Sequence, residues 1–443
     1  MSESEPRISI WDAKNKLTYD QPLQPGNPLF VDIAPARGEF SLTKLYSQLN
    51  VDRQGQLHEP PRKQYILFTG HRGCGKSTEL LRVAKYLHDP QRYYAVHLDC
   101  LETLDINNLK YSDVLLGLAA ALLKQLEDEH GISVEQVHLT RLENWYKERV
   151  ITHASLRNME TEIKAGVKTK AGLPWLVELF AELTNKISIG STYRDELREV
   201  VRNNFTEFST SFNQLIRAAE DKVRAKGLGQ RILFTVDGTD RLDNNDAHKF
   251  FVEDVHQLTQ IQSLFIYCAP IDLLHATNQL SANFGQPFRV PMLKVRDRDN
   301  QPIEANYQIV RNLVHQRVPP YLFDAPGTLD YLIGYSGGHP RDLLRLLNVA
   351  INNADTECID LLAAERAVKE VANDYRRFID SGDYARLVAI DNAPDAPDDF
   401  TDDTSSKMLY NLILLEYNDY FWKSHPVITT LPGYKKAALA AGT

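Results

Sequence analysis

Short apolar runs alternate with amphipathic stretches across the middle of the chain. Residues 65–69 (YILFT), 93–98 (YYAVHL), 232–236 (ILFTV) and 263–268 (SLFIYC) are rich in β-branched and aromatic side chains. Such near-continuous apolar runs are expected of strands covered on both faces. Residues 77–87 and 114–129 carry apolar positions three and four apart, which predicts helices packed by one face. Strands separated by helices in this way predict an α/β fold, a parallel sheet with helices on both faces. A fifth run, 288–295 (FRVPMLKV), contains Pro291, which removes a ladder donor and predicts an edge position or a bulge.

The second and third runs are separated by residues 99–231, far more than one crossover needs, so an insertion is expected at about 130–228. Within it, 143–170 reads as mixed-charge and partly helical, 187–193 (ISIGSTY) as a short strand, and 194–226 as a long polar helix. After the fifth run come four helical patterns, 305–316, 327–335, 341–352 and 361–378, expected to form an α-helical lid. A loop with Asp391, Asp395, Asp398, Asp399, Asp402 and Asp403 follows, which like-charge repulsion is expected to keep extended. Residues 407–416 (KMLYNLILLE) read as helix or strand, and 420–422 as an aromatic strand after a turn at Asn418 and Asp419. Residues 1–60, broken by Pro22, Pro25, Gly26, Pro28 and Pro35, read as a preface with helical character only at 41–49. The expected boundaries are therefore 1–60, a core at 61–300 containing the insertion, a lid at 301–380 and a small module at 381–443.

Composition adds exclusions. Of 443 residues, 43% are hydrophobic and 25% charged, with a net charge of −9, which excludes a wholly disordered or collagen-like chain. The acidic start lacks the basic, then apolar, pattern of a secretory signal. The best membrane candidate, 171–180, is interrupted by Glu178 and followed by Glu182, so no spanning helix is expected. Cys74, Cys100, Cys268 and Cys358 form no C-x-x-C pair, and a reducing cytoplasm fits them. The acidic total argues against a nucleic-acid binder that uses its whole surface.

The strongest chemical signal is Gly70-His71-Arg72-Gly73-Cys74-Gly75-Lys76-Ser77, which matches G-x-x-x-x-G-K-[ST] between an apolar strand and an amphipathic helix. Its glycines let backbone N–H groups turn inward around phosphates, and the helix N-terminus, running on to Thr78, adds its positive end. Lys76 is expected at the β- and γ-phosphates, and the Ser77 hydroxyl on Mg²⁺. The third run ends in Asp237, expected beside the loop strand with its carboxylate toward the Mg²⁺. Asp240, three residues on, either prepares the attacking water or caps a helix.

This P-loop together with Val236-Asp237-Gly238-Thr239-Asp240-Arg241 resembles the STAND and AAA+ ATPases. A third match, Gly337-Gly338-His339-Pro340-Arg341, is similar to the G-x-P element of STAND proteins and to the sensor-2 Gly-x-Pro-Arg of origin-recognition-type AAA+ proteins. The resemblance implies Arg341 at the γ-phosphate, setting lid position by nucleotide state, and an arginine finger supplied by a neighbouring subunit from Arg289, with Arg296 and Arg298 nearby. It implies that residues 30–42 pack on the adenine, with Arg37 either on nucleotide or at the surface, and that 381–443 is a winged-helix-like module. Arg241 is more like KAP-type ATPases, whose membrane segments have no counterpart here. The fourth strand ends in Cys268 and Ala269, where these families place Asn, Ser, Thr or Arg. The function implied is a Mg²⁺-dependent ATPase switch that homo-oligomerises on ATP and acts with a protein effector encoded nearby, such as an anti-phage defence module. The alternative is a nucleic-acid-associated AAA+ ATPase of the loader or transposition-regulator type, using Arg141, Lys147, Arg149, Arg157, Lys164, Lys168 and Lys170.

Overall fold

Five runs of chain assemble one sheet: β1 (Gln64–Thr69), β2 (Tyr93–Asp99), β3 (Arg231–Asp237), β4 (Leu264–Ala269) and β5 (Phe288–Arg289), in the order β2-β3-β4-β1-β5. The structure, a computed structural model of the chain, describes residues 7–132, 144, 145, 149, 192–276, 280, 283–393, 400–418 and 421–442. The β2–β3, β3–β4 and β4–β1 pairs are parallel. Each strand lies within a residue or two of its expected limits except β5, which stops just before Val290 and Pro291. Pro291 cannot donate to a ladder, and β5 occupies the edge. One expectation is corrected: β3 does not run beside β1, because β4 lies between them.

By contacts the chain divides into two compact units, one made of Leu42–Thr69 and Glu79–Phe288, the other of Met1–Ser41, Gly70–Thr78 and Arg289–Thr443. The first contains most of the sheet. Every residue of β4 is buried, as are all but the first of β1 and β3. Helix Tyr111–His130 packs on β2 and helix Phe205–Ala225 on β3. Across the strands, Phe265 stacks on Tyr65 at 4.8 Å, on Phe234 at 5.2 Å and on Tyr267 at 5.6 Å. Each such pair adds about 0.5–1.5 kcal/mol beyond the area it buries. The expected long polar helix at 194–226 is two helices, Thr192–Asn203 and Phe205–Ala225. The second buries Phe205, Phe208, Phe212, Leu215 and Ile216, an apolar stripe that its many polar residues obscure. Residues 187–191 of the expected short strand lie outside the described residues, and Thr192 and Tyr193 begin a helix. The basic residues expected in the insertion also lie outside them, except Arg149, which pairs with Glu207 at 3.2 Å.

The second unit is helical after β5: Glu304–His315, Pro326–Ser336, Pro340–Asn353, Leu361–Tyr375, Asp383–Asn392 and Asp403–Tyr410. Pro326 and Pro340 each occupy a first helical position, where the missing N–H costs nothing. The ambiguous stretch 407–416 divides. The helix ends at Tyr410, Leu412 takes φ +61°, and β6 (Leu414–Tyr417) pairs antiparallel with β7 (Phe421–Ser424). Of the acidic residues expected in an extended loop, Asp391 is helical and Asp402 caps the Asp403–Tyr410 helix by accepting from Ser405 N–H. Near the N-terminus, helix Ile10–Asn15 escapes the sequence reading; a reciprocal Ser9–Asp12 capping box starts it. No described helix is long and apolar enough to cross a membrane.

Candidate functional site

The second unit holds the glycine-rich loop. β1 leads into Gly70, and Lys76 opens the helix Lys76–Leu87. Gly70 and Gly73 have φ of +156° and +82°. A Cβ on Gly70 would lie 2.6 Å from the Val290 carbonyl oxygen, and one on Gly73 2.8 Å from Arg341 Cβ. Both positions therefore exclude any side chain, by conformation and by space. Lys76 Nζ donates to the carbonyls of Gly70 at 2.7 Å and His71 at 2.8 Å, so the loop closes on its own ammonium. Ser77 and Thr78 are half-buried in the first helical turn, where Thr78 Oγ1 accepts from Leu23 N–H at 3.1 Å.

Three groups from distant sequence hold this loop. Arg37, expected on nucleotide or at the surface, is fully buried: Nη2 donates to the Cys74 carbonyl at 2.6 Å and Nη1 to the Pro291 carbonyl. His71 Nε2 accepts from the Glu416 N–H of β6 at 2.7 Å. Burial pushes the His71 pKa down to about 3, and the nearby His339 and Lys76 push the same way, so the ring is neutral and its hydrogen sits on Nδ1. The Arg72 carbonyl accepts from His339 Nε2 at 2.7 Å, while the Arg72 guanidinium lies 5.6 Å over the Tyr410 ring. Arg341 follows directly. Its N–H donates to the Gly73 carbonyl at 3.4 Å and its Nε to the Tyr19 carbonyl at 3.3 Å.

Glu416 joins loop and hairpin. Its carboxyl lies 3.6 Å from Arg289 Nη1 and accepts from Trp422 Nε1 at 3.0 Å, and burial raises its pKa. Arg289, expected as a finger toward a neighbouring subunit, thus has a partner in its own chain. Arg296 donates to the Asn300 carbonyl at 2.9 Å and Arg298 lies 5.8 Å over Phe421. Beneath the loop, His339, Asp342 and His425 form a buried cluster that sequence reading missed. His339 Nδ1 accepts from Asp342 N–H at 3.2 Å, and Tyr375 donates its hydroxyl to the Asp342 carboxylate. Burial pushes the Asp342 pKa up, but His339 and His425 outweigh it and hold the group well below the ordinary carboxylate range.

In the first unit, the parallel register pairs Asp237, the last residue of β3, with Asp99, the last of β2. Two carboxylates therefore end neighbouring strands at one edge of the sheet. Asp99 escaped notice although YYAVHLD ends as RILFTVD does, in an acid after an apolar run. Asp99 Oδ1 accepts from Leu101 N–H at 2.8 Å, capping a short helix. Burial lowers the His97 pKa, against Asp237 and Asp99, which raise it; its Nδ1 lies 2.9 Å from Thr235 Oγ1. Gly238, φ +85°, turns the chain into the 3₁₀ turn Thr239–Arg241, and Thr239 donates its hydroxyl to the Cys268 carbonyl at the end of β4. Asp240 is buried in that turn, whose N-cap is Gly238, and the helix Asn244–His248 that follows is capped by Asp243. No protein-family model matches this chain, and no curated protein matches its sequence.

Proposed function

We propose that the chain is a Mg²⁺-dependent ATPase working as a switch, in which nucleotide state sets the position of a helical lid at 301–380 and controls self-association, and which acts with a protein partner. The observation that carries this reading is the full G-x-x-x-x-G-K-S sequence set between a buried strand and the first turn of a helix. Backbone N–H groups of 71–76 would cradle phosphate, Lys76 would move its ammonium from the Gly70 and His71 carbonyls to phosphate oxygens, and Ser77 and Asp237 would hold Mg²⁺. When bound, Mg²⁺ would neutralise charge developing on the transferred phosphoryl group. Asp240 is the residue nearest in sequence to Asp237 with a carboxylate that would orient the attacking water.

The switch reading is supported by what surrounds the loop. Arg341, the sensor candidate, bonds through its own backbone to Gly73, and the hairpin, part of a winged-helix-like module in this reading, bonds His71 through Glu416. A loop that shifts on phosphate binding would strain both contacts, so nucleotide state would bias the lid and module together. The test is a thermal melt with ATP·Mg²⁺. At a hundred times the dissociation constant, ligand stabilises the folded state by about 2.7 kcal/mol. Wild type is expected to gain this, Lys76→Ala to gain nothing, and Asp237→Ala to bind yet lose Mg²⁺-dependent turnover. A wild-type melt unmoved by saturating ATP·Mg²⁺ refutes the proposal.

A further inference from the structure

The His339–Asp342–His425 cluster needs an explanation beyond loop support. All three residues are buried, and one ligand atom from each lies within 4.8 Å of the others. His339 Nδ1 is 3.6 Å and His425 Nε2 3.0 Å from Asp342 Oδ2. Tetrahedral Zn²⁺ with ligand distances of about 2.0–2.2 Å separates its ligands by roughly 3.3–3.6 Å. The two measured separations lie close to that edge length.

Two further observations point to a cation. His425 Nε2 is buried and, despite its 3.0 Å approach to Asp342, has no aligned hydrogen-bond partner among the described residues. His339 gives its other nitrogen, Nε2, to the Arg72 carbonyl at 2.7 Å, the outer hydrogen bond that fixes a ligating imidazole with its lone pair on Nδ1.

We propose that His339 Nδ1, Asp342 Oδ2 and His425 Nε2 bind Zn²⁺, stapling the start of the Pro340–Asn353 helix to the segment that follows β7. Binding exchanges the 3.2 Å Asp342 N–H bond on His339 Nδ1 for coordination, and moves the hydrogen of His425 to Nδ1, which gives up the 3.4 Å bond that it accepts from Val427 N–H. A water, or the Tyr375 phenol oxygen now bonded to Asp342, completes the fourth position. Two imidazoles and one carboxylate favour zinc over Mg²⁺ or Ca²⁺, which take oxygen ligands.

The site stands independently of nucleotide binding and is tested on the full chain, purified without a metal-affinity tag. Elemental analysis is expected to find one zinc per chain, falling to near zero in His425→Asn. Stripped wild type is expected to regain its melting temperature with ZnCl₂ but not MgCl₂, and with CoCl₂ to develop the visible bands of tetrahedral cobalt, abolished by zinc. The cobalt spectrum keeps the proposal refutable even if the variant fails to fold. Wild type that is purified metal-free, is unmoved by zinc and is colourless with cobalt would overturn it, leaving a buried histidine–carboxylate network that only supports the loop.

Discussion

Replacing His71 by Gln separates hydrogen bonding from titration at the centre of the loop. A Gln carbonyl reaches about as far as imidazole Nε2, so it can accept from Glu416 N–H while carrying no titratable proton. In wild type the folded His71 pKa is pushed down to about 3 from 6.5, mainly by burial. Between those values the unfolded chain binds a proton that the folded chain does not, so stability rises with pH across that window and falls as acid is added. At 1.36 kcal/mol per unit, His71 is expected to remove about 2 kcal/mol of stability between pH 7 and pH 5. His97 and His425, also lowered by burial, act in the same direction. Asp272, raised to about 6 by burial, and Glu416, also raised, act oppositely, because their contribution is lost as pH rises. These terms are common to both proteins and cancel in the difference. The assay is urea unfolding of wild type and His71→Gln at pH 7, 6 and 5. His71→Gln is expected to match wild type within about 1 kcal/mol at pH 7, the scale of one exchanged hydrogen bond, and to lose about 2 kcal/mol less by pH 5. Parallel pH curves would refute the burial argument and with it the neutral tautomer that bonds the hairpin.

Arg37→Met keeps the buried volume but leaves the Cys74 and Pro291 carbonyls without their donor, at about 1–3 kcal/mol for each unsatisfied group. Its melt should drop in proportion, and ATP affinity should weaken, since the loop loses its brace; an unchanged melt would return Arg37 to a passive role. Asp240→Asn should spare nucleotide binding while lowering turnover by about 10²–10⁴ if the carboxylate prepares water; steady-state turnover within a few-fold of wild type excludes that role. Under the switch reading, light scattering should show wild type larger with a non-hydrolysable ATP analogue than with ADP, and Arg341→Ala the same size with both. A coupling of about 1–3 kcal/mol corresponds to a 5- to 150-fold shift in population, and equal masses for wild type in both states would refute it.

Strand positions were legible because a parallel sheet covered on both faces demands unbroken apolar runs, and YILFT, YYAVHL, ILFTV and SLFIYC are such runs. Their order in the sheet was not. Nothing in ILFTV or SLFIYC states which lies next to β1, because both faces of each strand are apolar and any neighbour would satisfy them. Helix Phe205–Ala225 was located but misjudged. Its buried stripe of Phe205, Phe208 and Phe212 is interleaved with Glu207, Thr206 and Ser209, and average polarity hid the one-sided face that packing uses. Pro291 gave the edge position of β5 but not its shortness, since the run was read to 295 and the strand stops at Arg289.

The candidate site divides along the same line. The glycine-rich loop is legible because its demands are local: positive-φ glycines, a lysine and a hydroxyl within eight consecutive residues. What holds that loop is set by residues far along the chain, and single side chains carry no mark of it. Arg37 looked like a surface charge because Gly38 and Glu39 beside it look like surface, yet its guanidinium is buried on carbonyls 37 and 254 residues away. His71 occupies a position that the motif leaves unspecified, and only the β6 backbone, 345 residues on, gives it a task. The loop presents its Gly70 and His71 carbonyls inward to Lys76 and its Arg72 and Gly73 carbonyls to the Pro340 helix. Buried acceptors of this kind must find donors. Lys76, His339 and the Arg341 backbone are those donors, and the G-x-P element follows from this need: Pro340 starts the helix without an N–H of its own, and His339 and Arg341 on either side of it supply the donors for Arg72 and Gly73.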